Sequence, residues 1–238
     1  MKAVSIISSL YKTERFIQNW EKDIRQFASK SDFRFEIIAI ANDPSEFEIN
    51  ILHRLEEESW FRLVITQRES LYASWNRGVQ EANYDAITFW NVDDVRYVHA
   101  IQKGLASLGS EADVVYFPFI YKRYVNILGF EFVAKRITVS PLEFDKKRFL
   151  FEMHCGPFFM FTKDIFEKVG SFDVSFIIAG DFEWCARAST TARFMKIEEK
   201  SGIFCKRVGT LSGGVNPLQE AENARIHAQS NEILDTAP

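Results

Sequence analysis

The sequence predicts an α/β fold: a single, mostly parallel, doubly wound sheet with helices on both faces and a small extension. Short apolar runs alternate with amphipathic segments throughout the first half of the chain, as expected of strand–helix repeats. The runs are almost uniformly apolar, which is typical of parallel strands buried on both faces. A composition of 47% hydrophobic and 26% charged residues over 238 residues suits a folded protein of about one domain.

The first half supplies most of the predicted elements. Strands are expected where apolar runs end in polar or turn-forming residues, at 4–7, 35–40, 63–66, 86–90 and 113–117. Thr13 is placed to cap the first helix, and Ser45 with Glu48 forms a capping box that opens the second. Further helices are predicted through 75–82 and 98–108. The alternation indicates that successive strands lie parallel, with helical crossovers between them.

The second half is less regular. Residues 118–150 are rich in aromatic and basic side chains, and the stretch from Tyr116 to Lys135 is interpreted first as ordinary β-structure and core, second as a ligand-binding surface and third as a membrane contact. A strand is expected at 156–161, a helix from Thr162 to Gly170, a glycine-rich loop at 209–216 and a helix at 218–234. No linker divides the chain. One domain, 1–238, is therefore predicted, with a regular half at about 1–117 and a less regular half at about 118–238.

Charge and composition exclude several classes of function. The formal net charge of −4 gives no basic field for nucleic acid. No apolar stretch is long enough to span a membrane, and the first apolar run is too short for a signal peptide. The cysteines Cys155, Cys185 and Cys205 lack metal-ligand spacing and are expected to be reduced thiols. These features predict a cytoplasmic protein, with peripheral contact at the inner face of the membrane as an alternative.

Oxygen ligands follow the fourth predicted strand directly, at Asn91, Val92, Asp93 and Asp94. Mg²⁺ and Mn²⁺ prefer such ligands, usually one or two carboxylates together with phosphate oxygens. Ligands of parallel α/β sheets bind beyond the carboxyl ends of the strands, where this cluster lies. The alternative is a surface turn whose acids cap the next helix.

Four segments in register, 4–11, 36–43, 71–78 and 89–94, resemble the GT-A glycosyltransferases of family 2. The resemblance implies a nucleotide-diphosphate sugar donor and a divalent cation, Mn²⁺ or Mg²⁺, held by Asp93. Asn91 stands where the family has an acid, and the turn after strand two leaves either Asn42 or Asp43 to read the base. The implied nucleotide-sugar contacts are Ser8, Ser9, Tyr11, Asn42, Asp43, Asn76, Arg77, Asn91, Val92 and Asp94.

A second acidic segment, 172–184, resembles the acceptor half of the same family. By that resemblance Asp181 is the catalytic base, with Gly180 where the family often has Glu. A carboxylate within about 3 Å of the acceptor hydroxyl would take its proton during attack. Glu183 is the reserve catalytic candidate, and His154 and Trp184 are candidates for acceptor contact. Otherwise Asp181 is simply a carboxylate favoured at a helix N-terminus.

The resulting hypothesis is a metal-dependent inverting glycosyltransferase that serves polysaccharide or glycoconjugate synthesis. It would move a sugar to the hydroxyl of a saccharide or a lipid-linked acceptor. Arg77, Lys206 and Arg207 are candidates for neutralising the diphosphate, or else solvated surface charges. The alternatives are a non-catalytic nucleotide-sugar-binding relative and a sugar nucleotidyltransferase, whose usual glycine-rich opening loop is absent from 8–12. Donor sugar, nucleobase and oligomeric state stay open.

Overall fold

The computed structural model describes residues 3–207 and 217–236. Its elements, in chain order, are β1 (Ala3–Leu10), α1 (Ile17–Lys30), β2 (Arg34–Asn42), α2 (Glu46–Leu55), β3 (Phe61–Thr66), α3 (Leu71–Glu81), β4 (Ala86–Phe89), β5 (Val95–Arg96), α4 (Val98–Ser107), β6 (Val114–Tyr116), β7 (Phe119–Ile127), β8 (Phe130–Val139), α5 (Lys146–Phe151), β9 (Met160–Thr162), α6 (Lys163–Val169), α7 (Gly180–Ala188), β10 (Phe194–Lys196), β11 (Gly202–Lys206) and α8 (Pro217–Thr236). The glycine-rich loop predicted at 209–216 lies outside the described residues.

Seven strands form the main sheet in the order β10-β6-β9-β4-β1-β2-β3. All neighbours are parallel except β9, which runs antiparallel between β4 and β6. The crossovers from β1 to β2 and from β2 to β3 each carry a helix, as the alternation of apolar and amphipathic segments predicts. The predicted mostly parallel, doubly wound sheet is therefore confirmed.

Two apolar cores cover the two faces of this sheet. One contains residues of α1, α2 and α4, and the other contains residues of α3 and α5 to α8. Neighbouring strand residues divide between them: Ile6 belongs to the first core and Ile7 to the second. Helix α3 packs tightly on β1, because a side chain at Gly78 would overlap Ile7. Helices thus lie on both faces, so their N-termini can meet at the carboxyl edge of the sheet.

The predicted caps are partly confirmed. Ser45 and Glu48 form the capping box of α2, and Thr162 caps α6. Helix α1 instead begins at Ile17 without a side-chain cap, so the predicted role of Thr13 is wrong. The Thr13 hydroxyl and backbone N–H both donate to Glu48, which is 3% exposed. This contact fixes the loop after β1 against the start of α2, beside the end of β2.

A second, four-stranded sheet has the order β5-β11-β7-β8. The aromatic and basic stretch first interpreted as core forms its β7–β8 hairpin, with β8 at the edge. Residues 130–138 are all exposed, so the interpretation as core is wrong for this strand. Over the residues that the structure describes, no helix is both long and apolar enough to cross a bilayer.

Candidate active site

The residues after β1, β2 and β4 meet at one edge because these strands are adjacent and parallel. Ser8 donates a 2.7 Å hydrogen bond to the carbonyl of Trp90, which joins the ends of β1 and β4. Ser8 is 1% exposed and its hydroxyl is bonded within the fold, which argues against the predicted nucleotide contact of this side chain. Ser9 is half-buried and Tyr11 exposed, which leaves these two of the predicted contacts accessible.

Asn42 and Asp43, at the end of β2, differ in their exposure and hydrogen bonds. The Asn42 amide donates to the carbonyl of Leu10 at 3.2 Å and to Ser74 at 3.0 Å, and its oxygen accepts from the Glu69 N–H at 3.1 Å. These bonds occupy a side chain that is 1% exposed, so Asn42 cannot also read a base. Asp43 is exposed and has a φ of 43°, which turns the chain away from the strand.

An aromatic ring and a guanidinium stand next to this turn. Arg68, just after β3, lies 4.8 Å from the centre of the Tyr11 ring. The flat face of such a ring suits a nucleobase, because base–aromatic stacking tolerates any base. The sequence hypothesis did not include Arg68. The only indication of Arg68 in the sequence is that a basic residue follows shortly after the third predicted strand.

Two predicted contacts on α3 are engaged elsewhere. Asn76 exchanges two 2.9 Å hydrogen bonds with the backbone of Phe172, which fastens α3 to the acceptor-side loop. Arg77 makes a bidentate ion pair with Glu69, with a closest distance of 2.9 Å. The pairing of Asn76 argues for a structural role, and that of Arg77 removes it as the main countercharge for a diphosphate.

The two adjacent acids after β4 differ in their surroundings. Asp94 is buried, and its carboxylate accepts from the Cys205 N–H at 2.8 Å and from the Asn91 amide at 3.2 Å. Burial, and next the charge of Asp93, raise the pKa of Asp94 well above its ordinary value. Asp94 therefore fixes β11 and Asn91 around the loop, which matches its supporting role in the sequence hypothesis. Val92 packs against the core on the α1 side of the sheet.

Asp93 lies beside a guanidinium. Arg207 donates to the Asp93 carbonyl at 3.1 Å and lies 3.7 Å from its carboxylate, between the rings of Tyr124 and Phe16. Burial raises the pKa of Asp93, and the positive charge of Arg207 partly offsets that effect. Asp93, Tyr124 and Arg207 also line a cavity of about 360 Å³ that α1 closes on one side. Of the basic residues proposed from the sequence, Arg207 is the one whose position suits the diphosphate.

A metal at this edge would have few protein ligands. Within 3–207 and 217–236 no cluster of three acidic, histidine or cysteine side chains is arranged to hold an ion. The Asp93 carboxylate lies 3.7 Å from the Arg207 guanidinium, and the Asn91 amide nitrogen, not its oxygen, is used by Asp94. One carboxylate and one amide oxygen fit a Mg²⁺ or Mn²⁺ ion that brings most of its ligands as phosphate oxygens and water.

Asp181 begins α7 on the acceptor side. It is partly buried, and its Oδ1 accepts from the Phe182 N–H at 2.9 Å and lies 3.3 Å from the Tyr72 hydroxyl of α3. Burial raises its pKa to about 6, although these hydrogen bonds oppose the shift. A side chain at Gly180 would approach the Tyr72 ring to 2.6 Å, which explains why Glu is not accommodated there. The carboxylate is thus held next to α3 with a pKa suited to accepting a proton near neutral pH.

A residue that the sequence did not indicate secures this position. Glu222 of α8 accepts hydrogen bonds from the N–H groups of Ile177, Ile178 and Ala179, at 2.7 to 2.9 Å. It is 6% exposed and sits where the N-terminus of α7 attracts negative charge. Sequence spacing could not reveal this contact, because 43 residues separate Glu222 from Ala179.

The other acceptor-side candidates have structural contacts. Both oxygens of buried Glu183 bond to Arg187, at 2.5 and 2.9 Å, which leaves no oxygen free for a catalytic role. Trp184 is fully buried and donates to the Gly170 carbonyl, which argues against the predicted acceptor contact. His154 stacks on Phe149 and lies 2.9 Å from Glu152, which favours a structural histidine.

The family model for glycosyl transferase family 2 matches residues 5–170. The chain belongs to this family, which confirms the predicted class, a glycosyltransferase. The matched range includes the donor edge from Ser8 to Asp94 and ends eleven residues before Asp181, so the base assignment depends on the geometry described above. No curated protein matches the sequence.

Solved structures with the same fold include glycosyltransferases bound to nucleotide sugars. TarS of S. aureus (residues 1-349) in complex with UDP-GlcNAc matches with a TM-score of 0.71 and 17% identity, over 97% of this chain and 66% of that one. The UDP complex of TarS 1-349 matches with a TM-score of 0.70 and 15% identity, over 97% of this chain and 65% of that one. The mannosyltransferase PcManGT of Pyrobaculum calidifontis, in complex with GDP-Man and Mn²⁺, matches with a TM-score of 0.62 and 11% identity, over 98% of this chain and 74% of that one. The chain spans just under two thirds of TarS 1-349, and the predicted GT-A fold is confirmed.

Proposed function

We propose that this chain transfers a sugar from a nucleotide-diphosphate sugar to an acceptor hydroxyl, with Asp181 as the base. The observation that carries the proposal is the Asp181 carboxylate, partly buried beside Tyr72 with its pKa raised to about 6. A general base works best when its pKa lies near the working pH, and such help is worth roughly 10²- to 10⁴-fold in rate. In this proposal the transfer serves polysaccharide or glycoconjugate synthesis.

The donor occupies the carboxyl edge of β1, β2 and β4 in this proposal. Tyr11 stacks on the base, exposed Asp43 hydrogen-bonds to it, and Asp93 with Arg207 faces the diphosphate. TarS and PcManGT are described with UDP, UDP-GlcNAc and GDP-Man, which supports a nucleotide sugar as donor. Residues 1–117 then form the donor half of one domain, and residues 118–238 form the acceptor half.

The reaction is a single displacement. The acceptor oxygen attacks the anomeric carbon while its proton passes to Asp181, and the bond from that carbon to the diphosphate breaks. Attack opposite the leaving group inverts the anomeric configuration. The diphosphate leaves with the bonding electrons, and Arg207 stabilises the charge that develops on it.

Asp93 and the Asn91 oxygen would hold a divalent cation, for which PcManGT, described with Mn²⁺, is the precedent. When bound, it supplies Lewis-acid stabilisation of the leaving phosphate. Arg207 competes for the same carboxylate, because its guanidinium lies 3.7 Å from Asp93. We therefore expect nucleotide-diphosphate binding to depend strongly on the metal only if the ion displaces Arg207 from Asp93.

A non-catalytic nucleotide-sugar-binding relative is the second candidate. It is favoured by Asn91 in place of an acid and by Asp94, whose hydrogen bonds are all within the fold. Nothing in the donor edge favours a sugar nucleotidyltransferase, because the loop at 8–12 lacks the glycines of such enzymes.

Donor hydrolysis and ligand binding separate these candidates. Thermal unfolding is measured with UDP, GDP, UDP-GlcNAc and GDP-Man, each with and without Mn²⁺, since ligands stabilise the native state by mass action. The stabilising donor is then incubated with the wild type, Asp181→Asn and Asp93→Ala, and nucleoside diphosphate release is followed. We expect Asp181→Asn to keep binding and lose turnover, and Asp93→Ala to lose the effect of Mn²⁺ on binding. Binding without any turnover by the wild type, with acceptor saccharides present, would favour the non-catalytic relative.

A further inference from the structure

The β7–β8 hairpin ends in an exposed apolar tip, here defined as residues 125–133. Leu128 is 94% exposed, Phe130 70% and Ile127 55%, and Phe132 and Val133 are exposed as well. The single acid of the tip, Glu131, is ion-paired with Arg15 at 2.6 Å and lies 3.5 Å from Arg207. The rest of the tip therefore offers water a contiguous group of large apolar side chains without a free negative charge, which marks an interaction surface.

Positive charge encircles the hairpin just behind this tip. Lys122 pairs across the strands with Arg136, and Arg123 pairs with Lys135. Like charges in directly opposed positions destabilise a sheet. Within the described parts of the chain, none of the four forms an ion pair with a carboxylate. Lys122 is half-buried and lines the cavity beside Asp93, so we call the three exposed residues, Arg123, Lys135 and Arg136, the basic belt; an external anion would relieve the repulsion between Arg123 and Lys135.

We propose that the hairpin tip inserts into an anionic lipid bilayer, with the basic belt at the level of the lipid phosphates. Five residues separate Arg123 from Leu128, which is about 16 Å of extended strand. A headgroup layer of roughly 5–8 Å plus an apolar insertion of about 5–10 Å matches that length. Basic side chains at the phosphates and Phe or Leu beneath them form the usual arrangement of peripheral membrane segments.

A second copy of this chain is a poorer occupant of the same surface. Strand β8 is at an edge of its sheet and could pair with another β8. In a two-fold contact, however, the same patch faces itself. A pairing centred near Lys135 would set the basic belt of one copy against the belt of the other, and Glu131, the one acid of β8, is already paired with Arg15.

Membrane contact would also orient the candidate active site. Glu131 of the tip contacts Arg207, which in turn contacts Asp93 at the donor edge. A chain anchored through the tip therefore holds this edge close to the lipid surface, where a lipid-linked acceptor would be presented. This consequence for the acceptor rests on the proposed function, whereas insertion of the tip does not.

Vesicle sedimentation tests the proposal with the whole protein. The wild type is mixed with vesicles of phosphatidylcholine alone or of phosphatidylcholine with phosphatidylglycerol, at low and high salt. The test variants are Leu128→Ser/Phe130→Ser in the tip and Arg123→Gln/Lys135→Gln in the belt. The matched controls are Phe47→Ser, an exposed aromatic on α2, and Lys30→Gln/Lys103→Gln on α1 and α4. Circular dichroism checks that each variant is folded.

We expect binding to the anionic vesicles only, weakened by salt, with the controls unchanged. At about 1 kcal/mol for each basic residue near the surface, the belt variant should bind about 30-fold more weakly. Leu128→Trp should show a blue shift of its fluorescence with anionic vesicles, since the hairpin contains no other tryptophan. Absence of wild-type binding to anionic vesicles, or tip-dependent dimerisation in their place, overturns the proposal. Because no donor is present, failure here leaves the test of sugar transfer unaffected.

Discussion

Asp181→Asn should make the protein more stable and far less active. The ordinary carboxyl pKa of 3.8 is raised to about 6 by burial, so the folded protein keeps a proton that the unfolded chain has lost. Stability is therefore highest below about pH 4, falls as pH rises to about 6, and is constant above that. At 1.36 kcal/mol per pH unit, ionising Asp181 in the fold costs about 3 kcal/mol. The amide avoids this cost and can still accept from Phe182.

The assay compares wild type and Asp181→Asn by urea unfolding at several pH values from 5 to 8, and by transfer rate. We expect the stability advantage of the variant to grow with pH up to about 3 kcal/mol, and the rate to fall by roughly 10²- to 10⁴-fold. The kcat/KM of the wild type should decline below about pH 6. Asp173→Asn, a half-buried acid of the same loop whose pKa is lowered, is the contrasting variant, because its effect on stability should have the opposite sign. A pH-independent stability difference would refute the burial argument, and an unchanged rate would refute the base assignment.

Three further outcomes follow from individual contacts. Glu222→Gln should lower the free energy of unfolding by about 1–3 kcal/mol, because a buried N–H loses its charged acceptor, and should speed hydrogen exchange at 177–179. Gly180→Ala should cost about 1–3 kcal/mol by overpacking against Tyr72, and a double-mutant cycle with Tyr72→Ala should recover part of it. Tyr11→Ala should weaken nucleoside diphosphate binding by about 1–3 kcal/mol in calorimetry; equal affinity would remove Tyr11 from the base site.

The sequence predicted the fold of the first half, residues 1–117, well because the signals there are local. The apolar runs, the Ser45–Glu48 capping box and the acids after β4 each lie within a few residues of one another. A strand's polar end shows where a site lies. It does not show which polar side chains face it, so buried Ser8 and Asn42 were taken as ligand contacts alongside Tyr11.

The acceptor half depends on contacts that spacing does not encode. Trp184 looks like an acceptor platform in the sequence but packs between α6 and the sheet, because β9 inserts beneath it. The β7–β8 hairpin has apolar residues on both faces, and composition alone does not distinguish a strand with neighbours from one at an edge. Glu222 belongs to α8, and the residue pattern of α8 predicts the helix but not which groups its side chains contact.

The large sequence separation between Glu222 and Ala179 also determines when the candidate site can be completed during synthesis of the chain. Ala179 leaves the ribosome 43 residues before the side chain that holds it, a delay of roughly 2 to 9 seconds at about 5–20 residues per second. In that interval the strands of the donor edge are already made and can pair, while the loop that carries Asp181 lacks its anchor. The loop that carries the proposed base is therefore anchored last, because Glu222 follows Arg207 of the proposed donor edge by 15 residues in the chain.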